Sequence, residues 1–334
     1  MIVQISPKSP IFAPMKPATF NTMNRLGKAR QPFLFLISFD KTDIRIFPLP
    51  VSSQEVMYQF PNATNVVPQA IKGEFLLKKE PLAFDSYQKK FERSMQYLQR
   101  GDISLLNLTQ ASRITLNRTT EELFHAAKAL YKLHLPGLFT LFSPETFIQI
   151  KGNTISSFPM KGTIDAATPD AEKVILDDPK ELDEHQKITD FTIQDLSAVA
   201  TDVRVERFRF ITRVKNIDKE LLQVSSQVSG ELPNNWHQQL GDILDQLLPS
   251  GSICGIPRDK SYQVIQEVEG YNRGFYTGVM GIFDGTSVDS AVMIRFVEEQ
   301  NGQLYYKSGG GVTANSIAQK EYEELIDKIY VPVY

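Results

Sequence analysis

The stretch FYTGVMGIFDGTSVDSAVMIRFVEEQNGQLYYKS, residues 275–308, decides the fold class. Its apolar runs at 275–283, 290–297 and 304–308 are rich in β-branched and aromatic residues, a composition that favours strands. The pairs Asp284-Gly285 and Asn301-Gly302 separate these runs, and such pairs are the strongest short signals of a tight hairpin turn. The stretch therefore predicts three strands joined by two turns.

The elements on either side of this stretch follow from apolar periodicity and capping residues. Strands are predicted at 33–38, 44–49, 104–116, 138–142, 146–158, 203–214 and 221–228. Helices are predicted at 20–27, 84–100, 119–130, from 180, at 235–248, 261–268 and 317–329. A loop is expected at 52–66 and a polar linker after Thr163, while Asp85 or Ser86 is expected to cap the second helix. Because strands come in hairpins and helices in separate runs, the predicted class is α+β with mostly antiparallel sheet.

The bulk properties are those of an ordinary globular protein. The 334 residues are 42% apolar and 22% charged, and the net charge of −3 gives no general attraction to nucleic acid or to an anionic membrane. The only cysteine is Cys254, so no intrachain disulfide can form, which favours a reducing, cytoplasmic compartment. Residues 1–16 lack the pattern of a signal peptide. We expect a single domain over 1–334, with a short variable N-terminal part at 1–83 and a catalytic core at 84–330.

The segment Phe158–Thr163, FPMKGT, draws attention to Lys161. Proline cannot continue a central strand, and glycine lets another group approach the backbone. Lys161 is therefore expected to point out of the end of a sheet. In dry or electropositive surroundings the pKa of its amine would fall, and the neutral amine would become a nucleophile. The alternative is a solvated lysine in a turn from strand to loop.

Two pairs of acids have a spacing that suits a metal ion. Glu181 and Glu184 lie three residues apart on one predicted helix, and Glu321 and Glu324 do so on the last helix. Each pair shares a helical face, where like charges repel. Two such pairs facing one cavity would form a site of hard oxygen ligands suited to Mg²⁺. The alternative is that both pairs lie on solvated faces.

Three further features could bind or activate an anionic substrate. Gly309–Gly311 follows a strand, and three glycines can turn backbone N–H groups toward a ligand. Arg295 lies in an apolar run, where a buried arginine must be paired or bind an anion such as a carboxylate. Glu145 begins the strand region that ends near Lys161, so an acid and an amine could flank a small substrate. A flexible connection and a loop carboxylate are the alternatives for the glycines and for Glu145.

The chain resembles the chorismate-utilising enzymes over about residues 84–330. The matching blocks, in the order in which the family has them, are 249–257 (PSGSICGIP), 273–278 (RGFYTG), 281–285 (GIFDG), 294–295 (IR), 308–312 (SGGGV) and 321–328 (EYEELIDK). The family includes large subunits of anthranilate and aminodeoxychorismate synthases, and isochorismate and salicylate synthases. The Pro-x-Lys-Gly-Thr block, with its lysine, resembles the corresponding block of the aminodeoxychorismate synthases. The resemblance implies large antiparallel sheets packed as a sandwich with helices outside.

The resemblance also implies a role for each site residue. Lys161 would attack C2 of chorismate while Glu145 protonates the leaving C4 hydroxyl. Ammonia from a glutamine amidotransferase partner would then add at C4, giving 4-amino-4-deoxychorismate on the route to 4-aminobenzoate and folate. Mg²⁺ would be held by Glu184 and Glu324, with Glu181 and Glu321 acting through water. The implied substrate contacts are Arg295, Tyr276, Gly309, Gly310, Gly311, Thr163, Lys328 and Cys254.

Several positions depart from the family pattern. Ile193 and Gln194 replace an Arg-Asn pair, Gln223 replaces a histidine near the substrate, and Cys254 and Arg258 replace a threonine or serine and a lysine. These changes leave two alternatives open. One is isochorismate, salicylate or anthranilate synthase activity, and the other is a catalytically weakened chorismate-binding subunit. The N-terminal part is short, so no feedback inhibition by tryptophan is expected.

Overall fold

The computed structural model describes residues 18–215 and 220–333. The prediction that residues 1–16 are not a signal peptide lies outside these ranges. In the described ranges the strands are β1 Phe33–Ile37, β2 Ile44–Pro48, β3 Met57–Phe60, β4 Ala63–Thr64, β5 Leu77–Glu80, β6 Leu105–Leu116, β7 Tyr131–Leu135, β8 Phe139–Ser143, β9 Thr146–Lys151, β10 Thr154–Ser157, β11 Met160–Asp165, β12 Thr201–Lys215, β13 Glu220–Glu231, β14 Gly255–Ile256, β15 Val279–Phe283, β16 Val288–Val292, β17 Phe296–Gln300 and β18 Gln303–Val312. The helices are α1 Ala18–Lys28, α2 Phe84–Gln99, α3 Thr120–Ala126, α4 Ala171–Asp177, α5 Pro179–Ser197, α6 Leu240–Leu247, α7 Gly251–Cys254, α8 Arg258–Val268 and α9 Ala318–Asp327, with a 3₁₀ turn at Trp236–Gln239.

The strands form two sheets of nine strands each. The first sheet has the order β11-β13-β10-β9-β16-β15-β1-β2, and β12 pairs with β13 along its edge. The second has the order β14-β6-β18-β17-β8-β7-β3-β4, and β5 pairs with β6. Neighbouring strands in both sheets run antiparallel. The predicted α+β class with large antiparallel sheets is confirmed.

The alternation of side chains along β1 explains how the layers stack. Leu34 and Leu36 point to one face and pack with Leu133 and Leu141 of the second sheet. Phe33, Phe35 and Ile37 point to the other face, into a cluster with apolar residues of α1 and α6. On the far side of the second sheet, a third cluster joins that sheet to α3. The two sheets therefore form a sandwich with helices outside, as expected.

The strand run predicted at 290–297 is wrong in one respect. It is two strands, β16 in the first sheet and β17 in the second, so the chain crosses between sheets at residues 293–295. Arg295 has a φ of +53°, a left-handed conformation that ends strand pairing at this point. Arg295 therefore lies at the crossover and not inside a strand.

Other predictions were also wrong. The loop expected at 52–66 contains β3 and β4, the polar linker contains α4, and β7 was missed. Residue Ala83, rather than Asp85 or Ser86, precedes α2, and it makes no side-chain cap. In contrast, Thr119 caps α3 in a reciprocal capping box with Glu122.

Among the described residues, no helix combines the length and the apolar composition of a transmembrane span.

Candidate active site

Lys161 lies on an irregular part of β11. Met160 is paired with Ser225 of β13 and Thr163 with Gln223, so the two residues between them face a single residue of the partner strand. This is a β-bulge, and Gly162 allows it by adopting a φ of +99°. The expectation that Lys161 leaves the end of a sheet is wrong. The proline of the motif lies between β10 and β11, and both strands pair with β13, so the chain re-enters the same sheet.

The amine of Lys161 is ion-paired in this structure. Its Nζ lies 2.8 Å from Oε2 of Glu184, and the lysine side chain is 39% exposed. Burial lowers the pKa of Lys161, but the hydrogen bond and charge of Glu184, helped by Glu181 and Glu324, outweigh burial and raise it above its ordinary value. The dry or electropositive surroundings that would favour a neutral amine are therefore not those of this structure, because the neighbouring carboxylates stabilise the ammonium form.

The second acid pair, on α9, lies close enough to Lys161 for their charges to interact. Glu324 Oε1 lies 2.6 Å from Nζ of Lys328, and that Nζ also donates to the carbonyl of Gly309 at 3.0 Å. Burial raises the pKa of Glu321, and the charge of Glu324 adds to this effect, while Lys161 opposes it. These electrostatic interactions place α5, α9 and β11 around one cluster. We call Lys161, Lys328 and the four glutamates at 181, 184, 321 and 324 the acid–lysine cluster.

The three glycines are part of strand β18. Gly309, Gly310 and Gly311 pair with Thr109, Leu108 and Asn107 of β6, so they continue the strand that they were expected to follow, and the alternative of a flexible connection is wrong. On the other edge of β18, β17 pairs only as far as Lys307, which leaves the glycine backbone without a strand partner on that side. A Cβ at Gly310 would lie 3.7 Å from Glu321 Oε2 and from Lys328 Nζ. The bare backbone therefore borders the acid–lysine cluster directly.

The carboxylates of the cluster have the chemistry of a Mg²⁺ site without being assembled as one. Within residues 18–215 and 220–333, no three His, Cys, Asp or Glu side chains are grouped closely enough to hold a metal. However, Oε2 of Glu181 is buried without a hydrogen-bond partner, which is costly for a carboxylate. Lys161 and Lys328 neutralise Glu184 and Glu324. The residues therefore fit a hard cation, which would compete with the two lysines.

Glu145 lies beside the loop that carries the PSGS motif. Ser252 Oγ donates a hydrogen bond of 3.0 Å to Glu145 Oε1, and Ser250 Oγ lies 3.1 Å from Ser252 Oγ. Burial raises the pKa of Glu145, while Ser252, Arg295 and Lys328 oppose this shift without cancelling it. A carboxyl with a raised pKa keeps its proton at higher pH, as a general acid requires.

Arg295 has the free donor that an anion would need. Its Nη1 donates to the carbonyl of Lys328 at 3.0 Å, and its guanidinium lies 4.7 Å from the ring centre of Tyr330. Its Nε is buried without a hydrogen-bond partner. The hydrogen bond to the Lys328 carbonyl links Arg295 to the acid–lysine cluster, and the charges of Arg295 and Lys328 both lower the pKa of Glu145 against the effect of burial.

The remaining predicted contacts are Tyr276, Thr163 and Cys254. Tyr276 is 3% exposed and packs against Phe296, with ring centres 5.9 Å apart. Thr163 is exposed at the end of the bulge. The Cys254 thiol is fully buried and donates to the carbonyl of Arg258 at 3.6 Å. Contacts of these three residues with a substrate stay predictions.

Sequence reasoning missed His185, which directly follows Glu184. His185 is fully buried, with Nδ1 3.1 Å from the carbonyl oxygen of Lys161 and Nε2 2.7 Å from Ser226 Oγ. Burial lowers the pKa of His185. The available signal was its place on a helix already predicted to carry Glu181 and Glu184, where position 185 would point toward the sheet.

Two proteins of known sequence are similar to this chain over most of its length. A 45% identical protein from Haemophilus influenzae, named "Uncharacterized PabA-like protein", covers 93% of this chain, which spans 95% of it. Aminodeoxychorismate synthase component 1 of Klebsiella aerogenes is 30% identical over 73% of this chain, which spans only 56% of that relative.

Two solved structures share the fold. The menaquinone-specific isochorismate synthase of Escherichia coli has a TM-score of 0.74 at 15% identity, covering 93% of this chain and 80% of that one. Anthranilate synthase component I of Streptococcus pneumoniae has a TM-score of 0.66 at 23% identity, covering 77% of this chain and 59% of that one. The family profile described as chorismate binding enzyme matches residues 52–333. This chain therefore belongs to the chorismate-binding enzyme family.

Proposed function

We propose that the chain is the aminating subunit of an aminodeoxychorismate synthase, converting chorismate and ammonia to 4-amino-4-deoxychorismate and water. The observation that carries the proposal is the position of Lys161. Its amine lies 2.8 Å from Glu184, in the acid–lysine cluster that borders the backbone of Gly310. A ring that bears two carboxylates could lie there between acids, lysines and unpaired amides.

The chemistry balances in two steps. Lys161, as the free amine, forms a bond to C2 of the ring, the two ring double bonds each shift by one position toward C4, and the C4–O bond breaks. Glu145 gives its proton to the departing oxygen, which leaves as water. Ammonia then forms a bond to C4, the C2–N bond to Lys161 breaks, and the proton lost by ammonia returns to Glu145. The acid and the lysine are thus regenerated.

The first step requires Lys161 to lose its proton and leave Glu184. Mg²⁺ would be held by Glu184 and Glu324, with Glu181 and Glu321 in support, and when bound it would supply positive charge for a substrate carboxylate. Arg295 would take the other carboxylate through its unpartnered Nε. Lys328 would add positive charge next to Gly309.

The ammonia would come from a glutamine amidotransferase partner in the cytoplasm, on the route to 4-aminobenzoate and folate. The Klebsiella relative's name supports this assignment, and so does the "PabA-like" name of the Haemophilus protein.

The test is a product assay. Purified protein is mixed with chorismate, Mg²⁺ and ammonium, and the products are identified by mass spectrometry. We expect aminodeoxychorismate from the unmodified protein. Lys161→Ala should lose this product or divert it to anthranilate, because attack by an amine at C2 without the lysine leads there. Unchanged aminodeoxychorismate output from Lys161→Ala would remove Lys161 from the mechanism.

One observation favours a second candidate. Lys161 lies 2.8 Å from Glu184, which could take its proton, and the free amine could then act as a general base that activates water for addition at C2, as isochorismate formation requires. The same assay separates the two reactions, since isochorismate would form without ammonium. Chorismate binding without any turnover would support a weakened binding subunit, in keeping with Ile193, Gln194 and Gln223.

A further inference from the structure

The bulge at Lys161 removes the usual support from its backbone. Between the pairs Met160–Ser225 and Thr163–Gln223 the ladder gains one extra residue on β11. A bulge redirects a side chain but leaves backbone groups without ladder partners. The carbonyl of Lys161 finds its partner outside the sheet, at Nδ1 of His185 on α5, 3.1 Å away.

The hydrogen bonds around His185 fix its tautomer. A carbonyl oxygen can only accept, so Nδ1 must carry the proton and donate to Lys161. Ser226 Oγ accepts the backbone N–H of Arg209 at 3.0 Å, which leaves its own proton for Nε2 of His185 at 2.7 Å. His185 and Ser226 are both fully buried, so water does not compete for these bonds. The order of donors runs from Arg209 through Ser226 and His185 to the Lys161 carbonyl.

We infer that His185, oriented by Ser226, is a positioning residue that sets where the Lys161 amine lies in the site. The inference rests on the proposed function, in which that amine attacks the substrate. The same helix carries Glu184 one residue earlier, so α5 holds Lys161 twice, by its amine through Glu184 and by its carbonyl through His185. If the carbonyl anchor is lost, the bulge can relax and the amine moves. Displacement of a reacting group by about 1 Å can cost roughly 10²-fold in rate.

The test uses three variants and a matched control. His185→Ala removes the donor, while His185→Asn retains a side-chain N–H near the position of Nδ1. Ser226→Ala leaves the ring in place but frees its tautomer. The control is His134→Ala, because His134 is also a buried histidine whose Nδ1 is hydrogen-bonded, at 2.7 Å to Thr140, but it lies on β7 in the second sheet.

The first readout is the rate of the covalent Lys161 adduct, measured by mass spectrometry after mixing with chorismate and Mg²⁺ without ammonium. We expect His185→Ala to slow adduct formation about 10- to 100-fold with little change in the KM for chorismate. His185→Asn should recover most of the loss, Ser226→Ala should be intermediate, and His134→Ala should react at the original rate. A folded His185→Ala or Ser226→Ala protein with unchanged adduct rate would overturn the inference.

A second readout does not depend on turnover. Reductive methylation of native protein, mapped by mass spectrometry, reports the accessibility of each lysine amine. His185→Ala should change the labelling of Lys161 relative to Lys328, and His134→Ala should not. If the unmodified protein forms no adduct, the proposed function fails. The positioning role of His185 is tested separately, and unchanged labelling of Lys161 in both His185→Ala and Ser226→Ala would overturn it.

Discussion

The acid–lysine cluster and the buried pair Arg273–Glu269 use the same kinds of charge in opposite ways. In the cluster, Lys161 is 39% exposed and Glu181 keeps a buried oxygen without a partner. In the buried pair both side chains are 1% exposed, and Glu269 binds Arg273 through two hydrogen bonds of 2.8 and 2.6 Å. The first arrangement leaves interactions to be exchanged with a ligand, and the second leaves none.

The two regions are separated by only one strand pair. Thr109, which donates its N–H and its hydroxyl to Glu269, pairs with Gly309, whose carbonyl accepts from Lys328. Arg273 also donates to the carbonyls of Ile253 and Asn107, so it joins the PSGS loop to β6. Burial lowers the pKa of Arg273, but Glu269 more than compensates and raises it. The comparison teaches that the buried, fully hydrogen-bonded charges stabilise the strand pair next to the candidate site. The partly exposed charges of the acid–lysine cluster can instead exchange their partners for a ligand.

The largest expected effect is on catalysis by Glu145. Glu145→Gln keeps the shape but cannot give up a proton, so aminodeoxychorismate formation should fall by roughly 10²- to 10⁴-fold. Burial raises the pKa of Glu145, so the acid stays protonated above the ordinary range and activity should fall as pH rises through that pKa. Steady-state rates measured across pH check this, and the alkaline limb assigned to Glu145 should vanish in the variant.

Glu299→Gln, an exchange of a half-exposed acid on β17, serves as the control and should behave like the original protein. A Glu145→Gln protein with the original rate and pH profile would show that Glu145 is not the acid.

The next effect separates the two regions by stability. Arg273→Leu leaves Glu269 buried and uncompensated, which should cost about 3–5 kcal/mol of unfolding free energy. Lys161→Met breaks a partly exposed pair and should cost no more than about 1 kcal/mol. Denaturant unfolding followed by fluorescence measures both values.

A double variant, Arg273→Leu with Glu269→Leu, sharpens this comparison. It should recover part of the lost stability, because no unpaired charge remains, although the carbonyls of Ile253 and Asn107 still lose their donor. Equal costs for Arg273→Leu and Lys161→Met would mean that burial does not distinguish the two pairs.

A smaller effect is expected from metal. Mg²⁺ at about 100 times its dissociation constant should stabilise the protein by about 2.7 kcal/mol, seen as a rise in Tm without chorismate. Glu184→Gln and Glu324→Gln should reduce the rise, and a chelator should reverse it. Glu323→Gln is the matched control, because Glu323 lies on the same helix and is exposed. A Tm rise that survives in both cluster variants would place the metal elsewhere.

The smallest effect concerns Cys254, on the dry side of the comparison. Burial raises the pKa of its thiol to about 12, so at pH 8 only about 1 in 10⁴ molecules would carry the reactive thiolate. Labelling by a thiol reagent should be at least about 10²-fold slower in native protein than in denaturant. Rapid native labelling would show that the PSGS loop opens to solvent.

Prediction from sequence succeeded where one local interaction decides the structure. The turns at Asp284-Gly285 and Asn301-Gly302 need only neighbouring residues, and the structure has both. β7 was missed because its sequence, YKLHL, directly follows the run predicted as a helix to residue 130, although its apolar and polar residues alternate as in a strand. α4 was missed because Asp170, which precedes it, has a φ of +53° and makes no side-chain cap.

The site shows the same division. Residue type and spacing drew attention to Lys161 and the two acid pairs, because each is a local pattern. The bulge, the ion pair with Glu184 and the bond to His185 depend on how α5 and β13 pack against β11, which no local pattern specifies. The same packing brings to Lys161 the carboxylates that raise its pKa.

Two of the three glycines of β18, Gly309 and Gly310, would respond differently to substitution by alanine. A methyl group on Gly309 would meet the side chain of Thr109 at 2.6 Å, so that position is closed by the protein itself. At Gly310 the nearest atoms are 3.7 Å or more away, and they belong to Glu321, Lys328 and Glu324. An alanine at Gly310 would thus be accommodated in the fold. Its methyl group would take up space next to the acid–lysine cluster and would hinder a ligand from binding there.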